Sequence, residues 1–359
     1  MFEPTGHQIF TTMKKIYDLC RILAMCVLCA CVCSVLVSCS DDDDNGGGGN
    51  VSRNDDDDNG GGGNAGGDDA ANAVMTFDGE RLSAIDYDND GDVSNYGISY
   101  DAQGRVKAVN GGYDDLEFDY SKGTATINGV VTNVKFNSNG YITELSGSWD
   151  YVEEYYGESY HYKGNGVLKF SYSNNRLSKV TRSAKETYTS SYTNETWSDE
   201  DTYTFTWNAD NLVQVKDSYW EEEDGETYSD EYITKIQYGS QENKFSQLSI
   251  SLMEYAIDFD NDALDILVAV GLFGKGTANL PTKLIDDEDD PYSLKYTLNS
   301  NGAIAKEIMG FMGYDEYAYK YYYGNDEDAK TRAKGVTKDE AKKFSLREMF
   351  VKQHRNHNK

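Results

Sequence analysis

Ile98-Ser99-Tyr100-Asp101-Ala102-Gln103-Gly104-Arg105-Val106-Lys107-Ala108-Val109 is the stretch on which the fold turns. Apolar and polar residues alternate up to Tyr100, and a second apolar strand begins at Val106. Between them stand Asp101 and Gly104, residue types that tolerate positive φ, so the segment reads as strand, tight turn, strand. The unit returns as Val134 to Leu145 around Phe136, Asn137 and Gly140, as Phe170 to Val180 around Tyr172 and Asn175, and as Phe205 to Val213 around Trp207 and Asn208. Weaker copies run from Ile236 through Tyr238 to Leu248 and from Tyr296 to Ile304. The anchors Tyr100, Phe136, Tyr172 and Trp207 follow one another at about 36 residues. Glu223-Asp224-Gly225-Glu226 is a further turn, joining Leu212–Glu222 to Thr227–Tyr238.

A lone hairpin is marginal in water, so hairpins in series must pair to hide their edges. The expectation is an all-β fold over 73–325: an antiparallel meander of long repeated hairpins forming a large curved sheet or a soluble barrel. Tyrosine (29 residues) and frequent threonine suit pleated, half-buried surfaces, and proline is nearly absent, at 3 residues. Tyr317, Tyr319, Tyr321 and Tyr323 alternate as one face of a closing strand. One segment departs from this period. From Ala263 to Phe273 the residues Leu264, Leu267, Val268, Gly271 and Leu272 share a face at helical spacing, with Asn261 or Asp262 as N-cap. A short core helix near 262–273 is expected there, plugging or capping the β core.

The first 38 residues read as a leader. Met13-Lys14-Lys15 looks like the true start, and the apolar run Ile22–Val37 is shorter than the roughly 20 residues a membrane-spanning helix needs. It ends in Leu36-Val37-Ser38-Cys39, which resembles the lipobox of bacterial lipoproteins, where the cysteine is acylated after cleavage. All 6 cysteines lie at or before that point, so the processed chain would retain Cys39 alone. That leaves no disulfide framework, no further thiol nucleophile and no cysteine-held metal. Several acyl chains at about 0.8 kcal/mol per buried methylene would make Cys39 a durable anchor in outer-membrane lipid. In the 39–72 linker, Asp-Asp-Asp-Asp-Asn-Gly-Gly-Gly-Gly-Asn occurs at Asp41–Asn50 and again at Asp55–Asn64. Glycine entropy and aspartate repulsion make it a solvated spacer.

The chain carries a formal charge of −29, and the leader contributes one net positive charge. A field of that sign repels phosphate backbones, so nucleic acid is excluded as a partner. The 326–359 tail runs the other way: Lys330 to Lys359 holds ten Lys or Arg against Asp339, Glu340 and Glu348. It is read as disordered or loosely docked, with an amphipathic helix near Lys338–Gln353 and contact with anionic lipid as the alternatives.

Chemistry-bearing patterns are sparse. His161 is the one histidine within the β region and reads as a solvent-facing strand residue. Asp86, Asp88, Asp90 and Asp92, with Gly91, match the opening of an EF-hand loop, where alternate oxygens wrap a hard cation. Gly97 stands where the closing glutamate belongs, so an acidic hairpin turn competes with calcium. Asp258, Asp260 and Asp262 form a weaker version. Trp149, Trp197 and Trp220 are candidates for stacking on sugar rings, against cross-strand packing. Acids are too numerous to single out a glycosidase pair.

Tyr100-Asp101-x-x-Gly104-Arg105-Val106 resembles the tyrosine-aspartate repeats of RHS-type shell proteins. The lipobox, acidic linker, hairpin series and Gly271-Leu-Phe-Gly274-Lys-Gly-Thr-Ala-Asn279-Leu280-Pro281 together are more similar to uncharacterised Bacteroidota-type surface lipoproteins with a porin-like β fold. That resemblance implies display on the outer membrane and lends no catalytic residues. A lipid-facing barrel would need an unbroken outward apolar band, and the charged strands at Glu153–Tyr162 and Glu195–Tyr203 argue against one. The functional expectation is a non-catalytic surface lipoprotein that binds or scaffolds an extracellular glycan or protein. A carboxylate-dependent carbohydrate-active enzyme and a purely structural envelope protein are the alternatives.

Overall fold

The structure, a computed structural model, describes residues 74–155, 158–191, 194–223, 226–257, 259, 261–286, 291–324 and 346–350. The leader, Cys39, the linker, Asp258 and Asp260 lie outside the described residues. Sixteen strands among the described residues form one closed antiparallel barrel in which each pairs with its neighbours in sequence and the last pairs with the first. Six short strands lead: β1 (Leu82–Asn89), β2 (Asp92–Tyr100), β3 (Val106–Gly111), β4 (Leu116–Asp119), β5 (Thr124–Ile127) and β6 (Val130–Phe136). Six long ones follow: β7 (Ile142–Tyr155), β8 (Glu158–Ser173), β9 (Arg176–Thr189), β10 (Asn194–Asn208), β11 (Asn211–Glu223) and β12 (Glu226–Glu242). Then β13 (Asn279–Ile285), β14 (Tyr292–Leu298), β15 (Ile304–Phe311) and β16 (Tyr314–Tyr323) bring the chain back to β1, where Ile85 faces Tyr321 and Tyr87 faces Tyr319. Of the two architectures left open by the sequence, the barrel forms.

The repeat is visible as chemistry at one rim. Gly104, at φ +82°, donates its N–H to the Asp101 carbonyl while the Asp101 side chain accepts from the Arg105 N–H at 2.8 Å. Asn137 and Gly140 repeat the arrangement, and the backbone bond recurs between Gly302 and Asn299. At several positions the aromatic of the repeat donates a hydrogen bond that reaches back one hairpin. The Tyr100 hydroxyl donates to the Leu82 carbonyl at 2.6 Å, Tyr172 to Ile142 at 2.5 Å, and Tyr238 to Leu212 at 2.7 Å. Trp207 uses its indole N–H on Leu177, and Tyr323 its hydroxyl on Ile304. Several strand pairs slip by a residue at these rim positions, among them Leu82/Ala84, Ser171/Tyr172 and Thr206/Trp207. A register slip takes a carbonyl out of the regular ladder, and the aromatic donor then satisfies it. In two cases the residue before the accepting carbonyl covers the ring: Arg81 lies over Tyr100 and Arg176 over Trp207.

The barrel is filled. Helix α1 (Ile250–Ala256) is capped by Ser249 and helix α2 (Asp262–Ala269) by Asn261, whose side chain accepts from Leu264 N–H. These elements reach strands all round the wall. Tyr96 on β2 bonds Asp262, Arg182 on β9 donates to the Ile257 carbonyl, Glu307 on β15 accepts from Ser251 N–H, and Tyr319 on β16 donates to Glu254. Only an interior position satisfies all four. Two corrections follow. The core holds two helices where one was expected. In addition, the weak repeat from Ile236 to Leu248 is no hairpin, because after β12 the chain turns inward and starts α1. α1 is too short and too close to a strand pattern for periodicity to expose it.

Inside and outside differ as in a water-facing body. On β8, Gly166, Leu168 and Phe170 are buried, while the intervening Asn165, Lys169 and Ser171 are exposed. On β10, Trp197, Tyr203 and Phe205 point in, and Thr196, Glu200 and Thr204 point out. A transmembrane barrel reverses this order. No helix among the described residues is long and apolar enough to cross a membrane.

Candidate functional site

Strands β7–β12 outrun the rest of the barrel. β6 pairs with β7 only as far as Ser146, and β13 with β12 only as far as Lys235. Beyond those points the six strands stay paired with one another, out to Tyr155–Glu158, Thr189–Asn194 and Glu223–Glu226. A six-stranded sheet therefore projects past the closed rim, with Gly147–Tyr155 and Glu226–Thr234 as its edges. Its inner face continues the buried side of the barrel and carries aromatic rings and acids in alternation with the outward polar residues.

At the base of this projection lies Glu186 on β9, which is 0% exposed. Three donors converge on its carboxylate: Trp149 Nε1 at 2.8 Å, Trp197 Nε1 at 3.0 Å and Arg347 Nε at 2.6 Å. Arg347 belongs to a third helix, α3 (Leu346–Phe350). Its guanidinium lies 5.2 Å from the ring centre of Tyr162 and 6.0 Å from that of Trp197. Burial opposes that charge, but Glu186 outweighs it and holds the guanidinium above its ordinary value. Phe350, one turn on, stacks on Trp149 at 6.2 Å and 15°. Gly166 admits it: a Cβ there would stand 2.3 Å from the Phe350 Cβ. Gly164 similarly leaves room for the Trp149 ring.

Deeper in the wall, Arg182, Asp199 and Asp201 are buried on the same face. Arg182 Nε stands 4.0 Å from Asp201. Burial, and then the Asp201 charge, push Asp199 up to about 8, with Arg182 opposing. A carboxyl whose proton affinity is raised by burial and by a second carboxylate is what acid–base catalysis uses. These two are 5% and 2% exposed, shut away from any sugar chain.

The sequence-based candidates distribute differently. Trp149 and Trp197, at 6% and 2% exposure, do not form an exposed stacking strip; they are buried donors to Glu186. Trp220, at 38%, stands on the outward face of β11, apart from both. The parity of a strand decides which face a ring takes, and these three fall on both faces.

The acidic stretch also resolves into a hairpin rather than a cation loop. Asn89 pairs with Asp92, and Asp90 and Gly91 take φ of +50° and +89°, the mark of a two-residue reversal. Asp86 accepts from the Tyr322 hydroxyl at 2.7 Å, and Asp88 from Gly91 N–H at 2.9 Å. Asp92 accepts from Tyr113. Asp86, Asp88 and Asp92 thus serve separate partners. Among the described residues no group of three His, Cys, Asp or Glu converges as a metal site. His161 is on the outer wall, 2.6 Å from Asp150.

Glu186, Arg347 and Gly166 were not singled out from sequence. In the tail the described residues Leu346–Phe350 form α3 and dock on the barrel wall; they lie inside the helix anticipated near Lys338–Gln353, the rest of which is outside the described residues.

No protein-family model and no curated protein matches the chain. Among solved structures it is similar to a porin-like protein from Bacteroides uniformis, at 14% identity and a TM-score of 0.42 over 67% of this chain and 97% of that one. It is also similar to a porin-like protein from Bacteroides vulgatus, at 12% identity and a TM-score of 0.45 over 68% and 98%. The functional reading below is drawn from this chain's own residues.

Proposed function

We propose that the mature chain is a non-catalytic binding barrel, tethered to the outer membrane through lipidated Cys39 and taking an extracellular glycan or protein on the inner face of its projecting sheet. The observation that carries this reading is the projection itself. Six strands extend beyond what closing the barrel requires, and their inner face presents rings and carboxylates such as Tyr162, Tyr188, Tyr219, Glu221 and Tyr232. Aromatic planes with adjacent hydrogen-bonding acids are the surface chemistry of sugar and peptide recognition. A packed structural wall gains nothing from an extra open-edged sheet lined in this way.

The test is an array of glycans and of peptides probed with the full-length protein, beside a Tyr188→Ala/Tyr232→Ala variant. Binding that the variant loses supports the reading. Binding untouched by the variant, or none on either array, rejects it.

A further inference from the structure

We infer that the Glu186 pocket is a peptide-recognition site for an arginine followed three residues later by an aromatic residue on one helical turn, and that the chain's own Arg347 and Phe350 occupy it as an intramolecular ligand. The inference rests on the binding-barrel reading and names a ligand class for the base of the same surface.

Four independent features make this a built site rather than a chance contact. With Arg347 and Phe350 in place Glu186 is wholly buried, and two indole N–H groups each hold one of its oxygens. A carboxylate held this way, with aromatic faces beside it, suits a planar guanidinium, which brings several donors and stacks on rings. Lysine, a compact and strongly hydrated charge, fits it less well. Next, Gly166 opens a slot that the Phe350 ring fills at van der Waals contact, and Gly164 seats the tryptophan that forms its other wall. Helical spacing then places positions 347 and 350 on one face, so a single turn of helix delivers both groups. Finally, charge favours the encounter: the segment Lys330–Lys359 that carries Arg347 holds ten Lys or Arg against three acids, in a chain of net charge −29.

The only described part of the tail is Leu346–Phe350, and its contacts are with β7, β8 and β9. Nothing in that geometry requires the turn to belong to the same chain, so another peptide with the same two side chains meets the same groups.

The experiment uses full-length protein and a labelled peptide of the sequence Ser345–Gln353, followed by fluorescence anisotropy. A vacated Arg347→Ala/Phe350→Ala variant is expected to bind the peptide, whereas wild type, its pocket already filled, binds it at least about tenfold more weakly. Adding Glu186→Gln to the vacated variant abolishes binding, and a peptide with lysine in place of the arginine binds more weakly than the parent. Near-UV circular dichroism checks that each variant keeps its packed aromatic core, and Arg347→Ala alone serves if the double variant does not fold.

A folded, vacated variant that ignores the peptide overturns the inference, as does binding that survives Glu186→Gln. If that variant still captures array ligands, only the pocket assignment falls. If it captures none and wild type captures none, the binding-barrel reading falls with it.

Discussion

The Tyr238 hydroxyl donates to the Leu212 carbonyl at 2.7 Å, tying the end of β12 to the start of β11. The same relation joins Tyr100 to Leu82 and Tyr172 to Ile142, so the aromatic of the repeat acts as a stitch on a carbonyl at the rim. Tyr238→Phe removes the donor and keeps the ring. The expected loss is about 1 kcal/mol of unfolding free energy, and Tyr100→Phe should add to it, since the two sites share no partner. Urea denaturation of the single and double variants measures both.

Glu307 anchors the plug to the wall. Its carboxyl accepts from Ser249 Oγ, from Ser251 N–H at 3.2 Å and from Tyr321 at 2.8 Å, at the N-terminal end of α1. Glu307→Leu leaves those donors buried without an acceptor. A loss of about 3 kcal/mol is expected, read as a lower denaturation midpoint, with Glu307→Gln losing less because it can still accept.

Asp199 makes stability depend on pH. Its ordinary value is 3.8, and in the folded chain burial and Asp201 push it up to about 8. Between those values the native state holds a proton that the unfolded state releases. Its contribution is therefore fully present below the lower value and is lost as pH rises through about 8. Asp199→Asn should stabilise the fold more at alkaline pH than at pH 5, by on the order of a few kcal/mol, read as a larger rise in melting temperature at the alkaline end. Equal shifts at both pH values would refute the assignment.

Gly166→Val places a branched side chain where Phe350 packs. The barrel tolerates valine in a strand, so the expected effect is release of α3 with little change in the main unfolding transition. Trp149 emission should shift to the red, and limited proteolysis should remove the tail faster than in wild type.

Cys39→Ser removes the proposed acylation site. On β8 and β10 the outer wall carries polar residues such as Lys169, Glu200 and Thr204, which interrupt the apolar band that a lipid-facing barrel needs. The variant should move wholly to the aqueous phase in detergent partitioning, whereas wild type stays with the detergent. Retention of the variant in the detergent phase would show that the wall itself embeds.

Much of the fold was legible because it is written over short distances. The period of two around Tyr100 and the turn chemistry of Asp101 and Gly104 act within a dozen residues, and β2–β3, β6–β7, β8–β9, β10–β11 and β14–β15 lie where those signals stand. α2 announced itself through helical spacing and the cap at Asn261. α1 did not, because its seven residues between a strand and a turn do not complete a recognisable helical face.

The candidate site was far less legible. Trp149 and Trp197 were visible as tryptophans, but the inner face of the projection mixes rings with Glu186, Asp199 and Asp201, so neither face of those strands reads as the buried one. Glu186 is one acid among 62 Asp and Glu, and Gly166 one glycine among 34; only their neighbours distinguish them.

By itself the sequence determined the class of structure and its local units: hairpins, their turns and a helix cap. Each of these is set by backbone sterics, side-chain period or composition among residues close in the chain. Tertiary structure alone decided that β1 meets β16, that the wall closes around two helices, and that Glu186, Gly166 and Arg347 form one pocket. Those contacts join residues far apart in the chain, and their free energy comes from burial and from donors and acceptors that exist as partners only once the barrel has closed.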